Sequence, residues 1–189
     1  CAGISLMVPD TIGAGTSPNY GAPWVLAVYL IAAMFWCLII PFWLRTRWAL
    51  GSGVAGLLTG LVVLFPTWLA LVQLRIPGPG VLLALFAVVW MADIAAYFSG
   101  KAFGKNKLAP NISPGKTWEG AIGAVIGVII YGVVMRILTG FSPIPLPIWV
   151  VALIVVTAVS IIGDLYESML KRQAGIKDSS NVLPGHGGV

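Results

Sequence analysis

Long apolar runs separated by short polar segments dominate the chain. Residues 24–44 carry no charge, residues 81–99 carry only Asp93, and residues 121–162 carry only Arg136 and are interrupted by a proline-rich turn. A helix that crosses a membrane needs about 20 predominantly apolar residues. The pattern predicts five spanning helices, at about 24–44, 52–74, 81–99, 121–138 and from 148 to beyond 163. We therefore predict an all-α, polytopic integral membrane helical bundle.

Composition supports this class and excludes an ordinary soluble domain. Of the 189 residues, 59% are hydrophobic and only 9% are charged, far from soluble averages. Cys1 and Cys37 are too few and too far apart for a disulfide framework or a zinc site, so we interpret both as packing residues. Because the chain begins with Cys1 and reaches Val189 inside a glycine-rich stretch, we expect residues 1–189 to be one membrane-embedded domain, an internal fragment of a longer protein.

The placement of the basic residues predicts an orientation in the membrane. If the five spans alternate, residues 45–47, 101–118 and 171–189 share one side, and of eleven lysines and arginines only Arg75 and Arg136 lie on the other. Loops rich in lysine and arginine face the cytoplasm. We therefore expect the polar segments to be cytoplasmic, and the net charge of +5 to reflect this bias rather than a nucleic-acid partner.

The last predicted span becomes polar in "GDLYESMLKR", residues 163–172. Asp164, Glu167, Ser168 and Lys171 follow the i, i+3, i+4, i+7 spacing of one helical face, with Arg172 at its edge. Two carboxylates, a hydroxyl and two cations suit a metal-bound polyphosphate, because carboxylates hold Mg²⁺ and cations neutralise phosphate. The alternative is a solvated amphipathic helix end with a Glu167 to Lys171 pair.

Asp93 stands alone within the apolar stretch "FAVVWMADIAAYFSG", residues 86–100. An ionisable group inside a spanning helix is costly unless it faces a polar cavity, so Asp93 is a functional candidate. Helical spacing places Asp93, Tyr97 and Gly100 on one face that leads towards a basic loop. The alternative is a structural hydrogen bond between helices.

The loop after this span carries Lys101, Lys105, Lys107 and Lys116. A Walker A motif is excluded, because Pro110 occupies the position of its first glycine. "NISPGKTWEG" instead predicts a helix start, with Ser113 as the N-cap and Pro114 at the first helical position. Lys116 and Thr117 would then lie in the first turn, where free N–H groups favour an anion. The alternative is a basic loop lying against anionic lipid headgroups.

The closing stretch repeats this combination of charge and glycine. Lys177 and Asp178 precede "SSNVLPGHGGV", in which Gly187 and Gly188 allow a tight turn with N–H groups exposed to a ligand. His186 could act as a general base or donate a hydrogen bond to a phosphate. With no second histidine and no nearby cysteine, neither a zinc site nor a Cys–His pair is available.

The last 22 residues, "SMLKRQAGIKDSSNVLPGHGGV", preceded by "GDLYE", resemble the signature of the phosphatidate cytidylyltransferases, also called CDP-diacylglycerol synthases. The pattern is a serine, Lys-Arg three residues later, then Lys-Asp, then Pro-Gly-His-Gly-Gly, and this chain fills it without a mismatch. "ADIAAYFSGKAFGKNKLAPNISPGKTWEG" resembles the bacterial members. The resemblance covers about residues 85–189, which it marks as the catalytic half.

The resemblance implies transfer of a cytidylyl group from CTP to phosphatidic acid, giving CDP-diacylglycerol and pyrophosphate for phospholipid biosynthesis, with the active site on the cytoplasmic face of the bacterial inner membrane. It implies Mg²⁺, with room for a second cation, held by Asp164 first and Asp178 second. The catalytic residues it implies are Asp164, Asp178, Lys171, Arg172 and Lys177. The substrate-binding residues are Ser168, His186, Gly187, Gly188, Lys116, Thr117, Lys105, Asp93 and Tyr97.

In this family the signature continues into a Leu-Asp-Arg-x-Asp segment whose aspartates help hold the metal, so we expect the metal site to be incomplete within residues 1–189. A homodimer is an expectation from the family alone. Two alternatives remain open. One is another membrane transferase that moves a phospho-alcohol or phospho-sugar, although such enzymes use denser aspartate arrays. The other is a transporter for an anionic solute, for which inverted repeats would be expected.

Overall fold

The structure is a computed structural model, and it describes residues 23–51, 53–140 and 144–176. Five helical segments in this part of the chain are long and apolar enough to cross a membrane: Pro23–Thr46, Val54–Leu74, Pro79–Phe103, Trp118–Thr139 and Leu146–Gln173. They match the five predicted spans in order and number. The prediction of a polytopic helical membrane protein is therefore confirmed.

The first span is one continuous helix with an internal π-helical turn, while each later span is a single α-helix. In chain order the elements are α1 (Pro23–Met34), the π-helical turn (Phe35–Ile39), α2 (Ile40–Thr46), α3 (Val54–Leu74), α4 (Pro79–Phe103), β1 (Lys107–Ala109), β2 (Ser113–Thr117), α5 (Trp118–Thr139) and α6 (Leu146–Gln173). Pro66 lies inside α3. The predicted turn between α3 and α4 is present, and Gly78 adopts the positive φ of 112° that favours glycine there.

A two-stranded antiparallel hairpin, β1–β2, replaces the predicted helix start at Ser113. Lys107 pairs with Thr117 and Ala109 with Ser113, so the helix begins only at Trp118. Thr117 is the N-cap, and its Oγ1 accepts a hydrogen bond from the Gly120 amide at 3.1 Å. The assignment of Ser113 as N-cap was wrong because residues 113–117 form a strand that pairs with β1. The helix can begin only after this strand, and Thr117 at its end is a suitable cap residue.

The described residues form two compact units. The first consists of the described residues in Cys1–Trp43 and Leu50–Leu85. Within it α1 packs against α3, and the Tyr29 hydroxyl donates a 2.7 Å hydrogen bond to Oε1 of Gln73. This bond gives two polar groups of spanning helices a partner, since hydrocarbon offers them none.

The second unit consists of Leu44–Ala49 and the described residues in Phe86–Val189. Its core is formed by side chains of α4, α5 and α6: Val88, Ala92, Ala124, Val128 and Leu153. A Cβ on Gly132 would lie 2.4 Å from Leu153 Cδ1, so the Leu153 side chain packs directly over this glycine where α6 meets α5. Strand β2 contacts both α5 and α6, which places the hairpin beside these two helices.

Candidate active site

A cavity of about 370 Å³ lies within the second unit, between α4, the hairpin, α5 and α6. Seven of its sixteen lining residues are alanine or glycine, which leaves room close to the helix backbones. Its polar and charged lining residues are Asp93, Tyr97, Lys101, Lys116, Thr117, Ser160 and Asp164. Two carboxylates and two lysines therefore share one cavity in a chain that has few charges.

Helix α4 supplies one wall of the cavity. Asp93, Tyr97 and Gly100 all line it, which confirms the prediction that they share a face. Lys101 lies on the same face, and its Nζ is 5.7 Å from the centroid of the Tyr97 ring, within range of a cation–π interaction. Lys101 was predicted in the basic loop and not at the site, although its spacing of i+4 from Tyr97 and i+8 from Asp93 already indicated this position.

The opposite wall brings together residues that are far apart in the sequence. Lys116 Nζ on β2 donates to Asp164 Oδ2 on α6 in an ion pair. The Asp164 side chain is 51% exposed and that of Lys116 is 25% exposed, so a ligand in the cavity can reach the carboxylate. Ser160 lies one helical turn before Asp164 and also lines the cavity. Sequence reasoning missed Ser160, which the i, i+4 spacing from Asp164 could have indicated.

Two glycines, Gly104 and Gly120, allow the end of α4 and the start of α5 to approach each other and Thr117 closely. A Cβ on Gly104 would lie 2.2 Å from the Gly100 carbonyl oxygen and 2.9 Å from Thr117 Cγ2. A Cβ on Gly120 would lie 3.0 Å from the Ala96 carbonyl oxygen. Thr117 is therefore enclosed by the end of α4 and the start of α5, which fixes β2 and its Lys116 relative to both helices.

A second contact fixes the start of the hairpin. The Glu119 carboxylate accepts two hydrogen bonds from the Asn106 backbone amide, each at 3.2 Å, and one at 2.8 Å from Asn106 Nδ2. The Trp118 amide donates to the Asn106 carbonyl at 3.0 Å. Neither Glu119 nor Asn106 was among the predicted site residues. An acidic residue in the first helical turn was the available signal, since it can bind amide groups there.

Several predicted site residues lie outside this cavity. Lys105 is exposed, and neither it nor Ser168, Lys171 or Arg172 lines the cavity. Lys171 Nζ instead contacts Glu167 Oε1 at 2.8 Å, which is the pairing foreseen by the alternative interpretation of that helix end. The remaining predicted residues, Lys177, Asp178, His186, Gly187 and Gly188, lie outside the described residues.

The carboxylates of the cavity can be compared with the ligands that Mg²⁺ prefers in proteins. Within residues 23–51, 53–140 and 144–176, no group of three or more histidine, cysteine, aspartate or glutamate side chains could hold a metal. Mg²⁺, however, is commonly held by one or two carboxylates together with substrate phosphates and water. Asp93 and Asp164, which line the same cavity, provide oxygen ligands of this kind. The residues present therefore fit Mg²⁺ that arrives with a phosphorylated substrate.

The fold and the cavity define a class: a polytopic membrane protein with paired acids and lysines in a cavity beside its helices. Comparison with known proteins narrows this class. The model of the cytidylyltransferase family matches residues 11–189, and the chain belongs to this family.

Curated relatives named phosphatidate cytidylyltransferase match the chain in several bacteria. The protein of Pseudomonas aeruginosa is 45% identical in an alignment of 177 positions that covers 86% of this chain and 62% of the relative. That of Haemophilus influenzae is 46% identical in an alignment of 123 positions that covers 59% of this chain and 40% of the relative. That of Brucella suis is 53% identical over 105 residues, 56% of this chain and 38% of the relative. The chain thus spans less than two thirds of the length of these relatives.

Proposed function

We propose that the protein to which this chain belongs transfers a cytidylyl group from CTP to phosphatidic acid, giving CDP-diacylglycerol and pyrophosphate. The observation that carries the proposal is the cavity in which Asp93 and Asp164 lie with Lys101 and Lys116. The names of the bacterial relatives support the choice of substrates. Two carboxylates and two lysines beside membrane-spanning helices suit a reaction between a soluble nucleotide and a lipid phosphate.

The reaction requires alignment and charge neutralisation more than covalent help from the protein. An oxygen of the lipid phosphate attacks the α-phosphorus of CTP, a new P–O bond forms, and the bond to the departing pyrophosphate breaks. Lys116 and Lys101 would donate to phosphate oxygens and so reduce the repulsion between the two anionic substrates. In the resting site Lys116 is paired with Asp164, which keeps both charges compensated until a phosphate arrives.

We further propose that Mg²⁺ takes part, held by Asp164 with Asp93, and with Asp178 from the segment outside the described residues. The fit of two cavity carboxylates to the ligand preference of Mg²⁺ supports this assignment. When bound, the ion would neutralise charge on the phosphates of CTP. Lys171 and Arg172, in the last turn of α6, and Lys177, which follows them in the sequence, would contact phosphates. A second cation would need carboxylates beyond Asp93 and Asp164.

The proposed location is the bacterial cytoplasmic membrane, with the cavity open to the cytoplasm. The five spanning segments and the concentration of lysine and arginine in alternate loops support it. CTP is a cytoplasmic nucleotide, and a lipid phosphate lies at the membrane surface, so both could reach a cavity at this level. The expectation of a homodimer rests on the family alone.

The test uses the full-length protein in detergent with Mg²⁺, labelled CTP and phosphatidic acid, and measures a lipid-soluble cytidine product. We expect Asp164→Asn to abolish product formation while the protein still extracts as a folded species. Glu167→Gln is the matched control, because it makes the same carboxylate-to-amide change on the same helix, one turn away and outside the cavity. No product from folded wild-type protein would refute the proposal, and full activity of Asp164→Asn would remove Asp164 from the site.

A further inference from the structure

A second cavity, of about 310 Å³, lies within the same compact unit. It is formed where the end of the first span, the tip of the hairpin and α6 meet. Its lining combines two guanidinium groups and one amide with an apolar wall. The polar residues are Arg45, Arg47 and Asn111, and the apolar residues include Leu44, Ile112 and Leu165. None of the described residues that line this cavity is acidic, which distinguishes it from the first cavity with its two carboxylates.

The two arginines have no acidic partner among the residues that the structure describes. In the described part of the chain, the ion pairs engage Lys116 and Lys171, and neither Arg45 nor Arg47 takes part. Both arginines are exposed, so their donors are accessible. Arg47 also holds a positive φ of 53°, a backbone conformation that costs energy in a residue other than glycine.

The segment that bears the arginines is fixed in place. Nε2 of Gln173, the last residue of α6, donates a 2.8 Å hydrogen bond to the Trp48 carbonyl oxygen. On the other wall, Ile112 and Leu165 are only 7% and 8% exposed. The cavity therefore has a built apolar wall and a positively charged rim.

The position of the rim indicates which anion the cavity would receive. Arg45 lies in the last turn of α2, at the end of the first membrane-spanning segment, so its guanidinium lies at the level of lipid headgroups. A guanidinium binds phosphate oxygens through two parallel hydrogen bonds. The apolar wall matches the glycerol and the first carbons of an acyl chain, which free phosphate lacks.

We propose that this cavity binds the headgroup of an anionic phospholipid from the surrounding membrane, at a site separate from the cavity of Asp93 and Asp164. Leu108 lines both cavities, so the lipid would lie next to the proposed reaction site without entering it. The proposal goes beyond the proposed function and does not depend on it, since lipid retention is measured without turnover.

The experiment counts lipids that remain bound to the full-length protein by native mass spectrometry, after titration with phosphatidylglycerol or with phosphatidylcholine. We expect the double variant Arg45→Gln/Arg47→Gln to weaken retention of phosphatidylglycerol on the order of tenfold, because each arginine near the membrane surface attracts an anionic headgroup and the variant removes two of them. Retention of phosphatidylcholine should not change. Arg75→Gln is the matched control, because it neutralises an exposed arginine at the end of α3 that lines neither cavity.

Three results would overturn the proposal. The first is unchanged retention in the double variant, or in Arg45→Gln alone should the double variant not fold. The second is an equal loss in Lys116→Gln, which would place the bound lipid in the first cavity. The third is equal competition by inorganic phosphate at the concentration of the lipid, which would show a site for free anions. A loss confined to the Arg45 and Arg47 variants and to phosphatidylglycerol supports the proposal.

Discussion

Replacing Gly127 by alanine tests how closely α4 and α5 must pack to form the first cavity. A Cβ at position 127 would lie 2.5 Å from the Cβ of Ala95 on α4. Carbon atoms in favourable contact are about 3.5–4.0 Å apart, so the two helices would have to separate by about 1–1.5 Å. An alanine Cβ has no alternative rotamer, and the clash therefore has to be relieved by the backbones.

Such overpacking costs about 1–3 kcal/mol. Gly60→Ala on α3 is the matched control, because a Cβ there meets nothing within 4 Å. Both variants gain the same helix propensity, about 0.5–1 kcal/mol, so the difference between them isolates the clash. The thermal unfolding midpoint of the full-length protein in detergent measures it, at about 2–4 °C for each kcal/mol in a domain of 150–250 residues.

A compensating variant decides whether the contact itself is responsible. Ala95→Gly/Gly127→Ala moves the methyl group from α4 to α5 and leaves the number of Cβ atoms between the helices unchanged. We expect it to recover most of the stability that Gly127→Ala loses, which is a positive coupling in a double-mutant cycle. Equal midpoints for Gly127→Ala and Gly60→Ala, or no recovery in the double variant, would refute the close packing of α4 on α5.

Three further predictions concern single contacts. Thr117→Val should lower stability by about 1 kcal/mol because the first turn of α5 loses its cap, while Thr117→Ser should retain it; equal unfolding midpoints would contradict the cap. Glu119→Ala should free Asn106 and speed amide exchange in residues 104–107, with Glu119→Gln intermediate, and unchanged exchange would contradict this anchor. Tyr29→Phe should cost about 0.6 kcal/mol through its lost bond to Gln73, and a midpoint above that of the wild type would show that the bond does not stabilise the fold.

Local patterns in the sequence predicted the spans and the helix faces. The five spanning segments follow from apolar runs of sufficient length, and the shared face of Asp93 and Tyr97 follows from the pitch of one helix. Both properties depend only on neighbours along the chain. Local patterns predicted Ser113 as the cap, whereas the helix is capped by Thr117. The difference arises from the pairing of Lys107 with Thr117 across a turn, which local spacing does not indicate.

The candidate site was only partly predictable, for the same reason. Asp164 and Lys116 were each singled out, but their ion pair joins residues 48 positions apart, and no periodicity reports such a contact. The polar face of α6 also extends beyond the cavity. Asp164 therefore lines the cavity, whereas Lys171, two turns later, pairs with Glu167. Helical spacing shows which residues share a face, whereas the extent of the cavity along that face is set by the neighbouring elements.

The charges in the first cavity bear on what the proposed reaction still requires. Asp93 and Asp164 are balanced by Lys101 and Lys116, since two carboxylates and two ammonium groups cancel. Such a balanced set is tolerable beside hydrocarbon, where an isolated charge is costly. A triphosphate and a lipid phosphate would bring several negative charges into it, and the two lysines cannot neutralise these while one of them is paired with Asp164. The proposed reaction therefore needs further positive charge at this cavity, which Mg²⁺ and the basic residues that follow Asp164 in the sequence are suited to supply.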